Sequence, residues 1–546
     1  MQGLIEFHGA KQMLVCAGVA PTQIESNQYI PGDTVYMYTD KTSFLVQRRA
    51  QAVVGITKER VNGTSVLYIP NFGTVCKFSP VLNLDSDVGT KFVLWLCENG
   101  TIEVEGKYSD EAVNDVKVLL HMYSLEQSRP MPSQHKDRPL YTTDKVVNHD
   151  DLDTFTIDPT SSVDFDDALS VDVENNTVYI HIVDIAAYAN LNPNLWTRCL
   201  TLYMANEHTE HLLDADDAAL RLSLVAGHQR PVITVKVALD KLGLVQHYEI
   251  YRSTIIVKKR WDYGQVQHAL DVNTAPESIV YLAKLTDLRS ADVKYNINLP
   301  SVRIEANIFT GEVNSLKTEN TNDAAHTLVA TAMILGNLVV SKHLSNNGVI
   351  IPNRFHDSLR GFNTPSFKPT GNMFVDSFIM VKRYARAYYS VDEKGHFGLG
   401  IKDYVHFTSP MRRYADVLVH RLLAGYVYDD LDYEVDWLNR RATIARTAQD
   451  LYTSWKTIRW LKTLPGLHEI WVTNVSKAGL MWFMPGLSLN GFLHVTELAP
   501  SQYWQLEGDT LKGTETGEVI KIGQKLIALV KNIDQVTSSV SLSLPQ

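Results

Sequence analysis

The sequence predicts a multidomain protein in which a central α+β region lies between two β-rich ends. Three observations carry this. The chain of 546 residues exceeds one ordinary domain. Residues 1 to about 125, and those after Pro465-Gly466, break into short β-branched and aromatic runs divided by turn residues. Apolar stretches of helical period and length fall only between them, at 322–344 and 435–464.

Taken in order, residues 32–36, 52–56 and 89–96 read as strands of the N-terminal region. Residues 126–149 form a polar linker containing Pro130, Pro132 and Pro139. The central region runs over 150–464, with strands at 154–157, 168–173, 178–183 and 231–239. Its helix at 322–344 stops at Asn346-Asn347-Gly348, a left-handed stop signal. Residues 466–546 hold strands at 469–475, 480–484, 491–494, 525–532 and 538–544.

Asp158, Asp164, Asp166 and Asp167 crowd into ten residues. Carboxylates at that density repel one another unless a cation lies between them. A hard divalent ion is the natural answer, because it takes oxygen ligands. Pro159 stops the preceding strand, so the aspartates sit on a loop between strands. An EF-hand loop is excluded: counted from Asp164, the sixth position is Leu169 rather than Gly and the twelfth is Asn175 rather than Glu.

A second segment reads His406-Phe407-Thr408-Ser409-Pro410-Met411-Arg412-Arg413-Tyr414-Ala415-Asp416. Ser409 suits an N-cap and Pro410 a first helical residue. Tyr414, Val417, Leu418 and Leu422 form a buried stripe at helical spacing. Arg412 and Arg413 then fall in the first turn, where the helix dipole disfavours cations. An anion such as phosphate would offset that; a salt bridge to a local carboxylate is the alternative.

Together the two segments resemble the signature stretches of the RNase II/RNB family of 3′→5′ exoribonucleases, with wording closer to the eukaryotic, exosome-associated branch. The resemblance covers about 150–464 and, more loosely, the flanks. It implies an α+β RNB domain between β-barrel domains of OB type: cold-shock-like at 1–125 and S1-like at 466–546. It further implies single-stranded RNA cut processively to nucleoside 5′-monophosphates with Mg²⁺ or Mn²⁺. Two ions about 4 Å apart would activate water and stabilise the leaving oxygen.

By the same resemblance Asp158, Asp164, Asp166 and Asp167 are metal-site residues, and Asp166 is the one whose loss most harms catalysis. Arg412 matches the arginine that clamps the scissile phosphate, with Arg413 beside it. Tyr263 and Tyr203 match aromatics that stack on RNA bases, and Arg354 lies in a matching Arg-x-His stretch. Trp482, Phe483, Phe492 and His494 are candidates for RNA stacking or core packing in the S1-like region.

Two departures stand out. The family helix usually reads Glu-Glu-x-Met, whereas 329–337 carries no acid. Gln449 takes the place of a late glutamate, with Asp450 adjacent. These losses bear on sugar selectivity and turnover, and they give a second reading: a catalytically silent RNA-binding module.

The net charge of −10 confines any RNA-binding basic surface to a groove. Cys16, Cys76, Cys97 and Cys199 show no C-x-x-C spacing, which favours a reducing compartment over zinc. With no signal peptide and no apolar run of about 18 residues, a cytoplasmic monomer without a membrane span is expected.

Overall fold

The computed structural model describes residues 2–8, 11–15, 22–23, 34–37, 43–47, 51–61, 64–69, 74–77, 86–96, 102–122, 125, 131–186, 195, 198–204, 208–289, 301–307, 309–319, 323–357, 369–383, 386–392, 395–498 and 502–545. Cys16, Cys97, Pro130 and Asn322 lie outside them.

The centre is a seven-stranded sheet. Its strands are β1 (Val147–Asn148), β2 (Phe155–Asp158), β3 (Asp167–Asp172), β4 (Thr177–Val183), β5 (Gln229–Leu239), β6 (Val245–Ile256) and β7 (Lys259–Asp262), in the order β1-β6-β5-β4-β3-β2-β7. The edge pairs β1–β6 and β2–β7 are parallel, and the rest are antiparallel. Asn176, at φ 49°, turns β3 into β4, as the Asn-Asn pair predicts.

Alternation gives the sheet two unlike faces. Val178, Ile180 and Ile182 are fully buried in the main core. The other face buries a chain of polar groups. Thr154 Oγ1 lies 2.8 Å from Ser170 Oγ, which lies 3.1 Å from His181 Nε2. His181 Nδ1 lies 2.8 Å from Thr234 Oγ1, itself 2.5 Å from Ser253 Oγ.

Five of the helices bear on the site or its core: α1 (Tyr263–Asp271), α2 (Glu277–Arg289), α3 (Ala324–Asn346), α4 (Tyr414–Leu423) and α5 (Leu431–Lys462). The α3 helix starts on Asp323, whose side chain accepts the His326 N–H, and ends at Asn347 before Gly348 at φ 72°. By length and composition it could cross a membrane, but Leu328, Ala332, Leu335 and Val340 are fully buried in the core. Its Gly336 faces Ile180 so closely that an added Cβ would come within 3.3 Å of Ile180 Cδ1.

One expectation is corrected. The α4 helix begins at Tyr414 with Arg413 as its cap residue, so Ser409 is not the N-cap and Pro410 is not helical. The reason is that the Ser409 N–H donates to Asp416 Oδ1 at 2.7 Å and the Met411 N–H to Asp166 Oδ1 at 2.7 Å, which holds 409–413 in a turn. The predicted stripe of Tyr414, Val417, Leu418 and Leu422 is buried.

Within 126–149, Gln134–Lys136 pairs with Tyr426–Tyr428, and β1 joins the central sheet. The N-terminal region holds two five-stranded sheets, which include Thr34–Met37, Gln51–Val61 and Lys91–Leu96. After α5 a five-stranded sheet curls until its edge strands, Leu489–His494 and Ser539–Ser543, lie side by side. A small three-stranded sheet spanning 504–521 joins it, and the sequence reading missed it. Trp482 and Phe483 are buried, which makes them core residues, whereas Phe492 and His494 are exposed.

Burial of His181 lowers its pKa from 6.5 to about 3. The unfolded chain therefore binds the proton more readily, and the stability present above pH 6.5 is lost as pH falls toward the folded value. The stability advantage of the wild type over His181→Gln is expected to shrink by about 2 kcal/mol between pH 7 and pH 5, read from urea unfolding. A constant difference would show that His181 stays neutral in both states.

Candidate active site

The four aspartates occupy one turn of chain between adjacent strands. Asp158 ends β2, Asp167 opens β3, and Asp164 and Asp166 lie on the loop between. Parallel pairing sets Arg260 of β7 opposite Thr156. From there Arg260 Nη2 donates to the carbonyl oxygens of Pro159, Thr160 and Ser162 at 3.2, 3.0 and 3.2 Å. Its guanidinium also lies over the Phe165 ring at 4.8 Å. Ser223 Oγ donates to the Val163 carbonyl and accepts the Phe165 N–H. The loop is thus fixed by outside partners rather than by its own sequence.

The second signature segment meets this loop directly. Besides the Met411 N–H on Oδ1, Asp166 has Arg412 Nε 3.6 Å from its Oδ2. Arg412 Nη2 donates to Ser409 Oγ at 3.1 Å, and the Thr201 N–H donates to the Arg412 carbonyl at 3.0 Å. The Arg412 side chain stays 46% exposed, so its guanidinium can still meet an incoming anion. Arg413 differs: its Nη2 donates to the fully buried Asp416 at 2.8 Å. That is the salt bridge considered above as the alternative to an anion.

Charge in this site is out of balance. Burial raises the Asp166 pKa to about 8, against the lowering effects of Arg412 and the Met411 N–H. Asp158 is raised by burial and then by Asp166; Asp167 is raised by burial and then by Asp158. A hydrogen bond to a charged group contributes about 1.5–3 kcal/mol. Burying a carboxylate costs several kcal/mol. Asp166 is buried, and Asp158 and Asp167 are part-buried. Arg260 acts on Asp158 and Arg413 on Asp167, yet burial and mutual repulsion still push all three upward.

The donor set fits a hard cation. It offers only carboxylate oxygens, and Asp158 Oδ2 is buried without a hydrogen-bond partner among the described residues. Among those residues no three His, Cys, Asp or Glu side chains yet converge as a finished cage.

The aspartates open into a cavity of about 980 Å³. Tyr203 and Tyr263 line it. Tyr263 is the first residue of α1, capped by Asp262 and Gln265, and its ring stacks on His326 at 3.8 Å and 8°. His326 Nδ1 lies 2.6 Å from Asp323 Oδ1. Opposite-spaced residues of α3, namely Val329, Ala330, Met333 and Ile334, line a further wall. At its end Asn337 donates from Nδ2 to Tyr404 and accepts the Phe407 N–H on Oδ1.

Eight residues singled out in the sequence thus share one cavity: the four aspartates, Tyr203, Tyr263, Arg412 and Arg413. Arg354 is not in its lining; it is buried, with its guanidinium 4.6 Å over the Tyr389 ring. Gln449 is part-buried and donates to the Tyr203 carbonyl at 3.4 Å. Arg260, Ser223 and His326 were missed, because their roles arise from strand register and helix packing that no local motif records.

The RNB domain family matches residues 147–429, just over half of the chain. Ribonuclease R of Mycoplasma genitalium is 25% identical over 525 residues, covering 82% of this chain and 71% of that protein. Ribonuclease R of Chlamydia muridarum is 29% identical over 409 residues, covering 65% of this chain and 58% of its own length. The chain thus spans between about three fifths and seven tenths of these relatives. In three dimensions it is similar to Mycoplasma genitalium RNase R in complex with ribose-methylated single-stranded RNA, with a TM-score of 0.80 at 19% identity and all of both chains covered. It is also similar to yeast Ssd1, a pseudonuclease, with a TM-score of 0.70 at 16% identity, covering 94% of this chain and 81% of that one. The family match takes in both of the segments that Asp166 ties together, and the chain belongs to the RNase II/RNB family of exoribonucleases.

Proposed function

We propose that this protein hydrolyses single-stranded RNA processively in the 3′→5′ direction, releasing nucleoside 5′-monophosphates. The observation that carries the reading is the Asp166 carboxylate, buried between three other aspartates and Arg412 at the floor of a cavity flanked by two tyrosines. Asp158, Asp164, Asp166 and Asp167 would hold divalent ions, Mg²⁺ or Mn²⁺. Such ions, when bound, supply charge neutralisation at the phosphate and an activated water.

The protein's own groups do the rest. Arg412 offers a forked donor to the scissile phosphate and lends charge to the transition state. Asp166 holds that arginine and the Met411 backbone in place. Tyr263, kept flat by its stack on His326, and Tyr203 offer faces to bases of any identity. The curled C-terminal sheet and the N-terminal sheets would act as OB-type barrels guiding single strands, with exposed Phe492 and His494 on the C-terminal one. A monomer working in a reducing cytoplasm fits the cysteine pattern.

A second reading, a silent RNA-binding module, draws on the likeness to a pseudonuclease and on the acid-free α3 wall. The four aspartates and Arg412, all in one site, favour the enzyme.

With 5′-labelled single-stranded RNA and Mg²⁺, stepwise shortening to a small 5′ fragment is expected, and Asp166→Asn or EDTA should abolish it. RNA that stays bound but intact with the wild type would establish the silent module instead.

Arg412→Lys is expected to lower kcat about 10²-fold, since a point charge replaces the fork. Steady-state kinetics showing unchanged kcat would remove Arg412 from the transition state. Tyr263→Ala should weaken RNA binding by about 1–3 kcal/mol for the lost stacking, measured by fluorescence anisotropy. An unchanged Kd would leave Tyr263 as a packing residue.

A further inference from the structure

We infer that Lys456 is a positioning residue: its buried ammonium fastens one wall of the cavity, the hairpin of Ser301–Ala306 and Val313–Glu319, to the N-terminal region and to α5. The grip of that wall on an RNA strand then depends on this joint. The inference rests on the RNA-binding reading of the cavity, but the fastening itself can be measured without RNA.

The hairpin needs an anchor. It forms a two-stranded sheet of its own and pairs with no other strand among the described residues. A lone two-stranded hairpin is marginally stable in water. Yet Val302, Arg303 and Ile304 line the cavity, so their strand must keep its place. Leu316 steadies the second strand by packing against the apolar cluster that includes Leu461 and Leu487. The turn at Gly311 is held by other means.

Lys456 holds it. The side chain is 1% exposed, and Nζ donates to the carbonyl oxygen of Gly311 and, at 3.2 Å, to that of Ala112. Asp115 Oδ2 lies 3.7 Å away. That aspartate is fully buried and also receives Lys91 at 3.4 Å and Arg459 at 3.5 Å. Lys91 and Arg459 reach Asp110 as well, at 3.0 and 2.9 Å. A buried ammonium has three donors to satisfy and no bulk water to take them, so these partners stay in place. Shape agrees with charge. Gly311, at φ 69°, lies on Ala112 so closely that an added Cβ would come within 2.6 Å of the Ala112 carbonyl carbon.

The joint also reaches the opposite side of the cavity. Tyr452 and Thr453, one turn before Lys456 on α5, line it, and the Tyr452 ring lies 5.2 Å from Nζ. None of these partners belongs to the aspartate loop or to the second signature segment, so the joint bears on grip rather than on chemistry. The N-terminal region has apolar contacts with α5 besides this one: Val54, Ile56 and Leu119 share a buried cluster with Ala448 and Trp455.

The test compares the intact chain with Lys456→Met and Gly311→Ala. The first removes the ammonium and keeps an apolar stem; the second drives the turn off Ala112 and touches no charge. In both, amide hydrogen exchange over 301–319 is expected to quicken about tenfold or more, while 177–183 in the central sheet keeps its protection. Single-stranded RNA, followed by anisotropy in EDTA so that it stays whole, should bind about tenfold more weakly. The kcat at saturating RNA should stay within about twofold. Unchanged exchange over the hairpin in either variant would overturn the inference. So would a loosened hairpin with unchanged RNA affinity, or a fall in kcat with Kd intact. Should Lys456→Met lose protection at 177–183 as well, Gly311→Ala decides alone. A wild type that binds no RNA would sink the functional reading, and exchange over 301–319 would still show whether Lys456 holds the wall.

Discussion

The Met411 N–H donating to Asp166 Oδ1 is the contact on which this structure turns. It joins two segments that lie 245 residues apart in the chain. Asp166 is 5% exposed and Met411 3% exposed, so neither group could exchange this bond for one to bulk water. The bond keeps 409–413 out of the α4 helix and leaves Arg412 facing the aspartates. Asp416 does the same work from the other side, taking the Ser409 N–H and the Arg413 guanidinium on one oxygen. Two carboxylates thus convert a segment that looks like a helix start into a rigid turn.

The same burial creates the chemical demand. Three carboxylates are pushed upward by desolvation and by one another, and the nearby protein groups do not bring them back. A cluster of this kind is unfavourable as a purely structural device, because a well-packed apolar core would serve stability better. Its retention inside a cavity with a half-exposed arginine fits a site that gains its balance from bound cations and phosphate. The rigidity of the surroundings supports this. Arg260 and Ser223 hold the aspartate loop by its backbone, so the carboxylates need not order themselves when a substrate arrives.

The α3 helix serves packing and site at once. Its inward residues complete the core against the sheet, with Gly336 admitting Ile180 at close range. Its cavity face is apolar between His326 and Asn337. This is where the chain departs from its family's usual wording, and the departure falls on the wall of the site rather than on its floor.

Much of this was legible in the residues themselves. The aspartate cluster, the strand that ends at Asp158, the Asn-Asn turn and the long α3 and α5 helices follow from local chemistry: charge density, a proline, a left-handed turn and apolar periodicity. So does the family, because two dense motifs in order carry more information than any one of them. The tertiary structure alone decided how those motifs are used. Ser409 and Pro410 read locally as a helix start, yet a backbone N–H next to them is claimed by Asp166 from across the fold. Arg412 and Arg413 are neighbours of the same type, but one pairs with buried Asp416 and the other remains open to the cavity. Trp482, Phe483 and Phe492 all carry aromatic rings, but Trp482 packs into the core of the C-terminal sheet, Phe483 on the opposite face of the strand is covered by Phe378, and Phe492 is exposed. Sequence fixes which groups are available along the chain. Which of them are buried, paired or left facing the substrate depends on contacts between distant segments, and those exist only once the chain has folded.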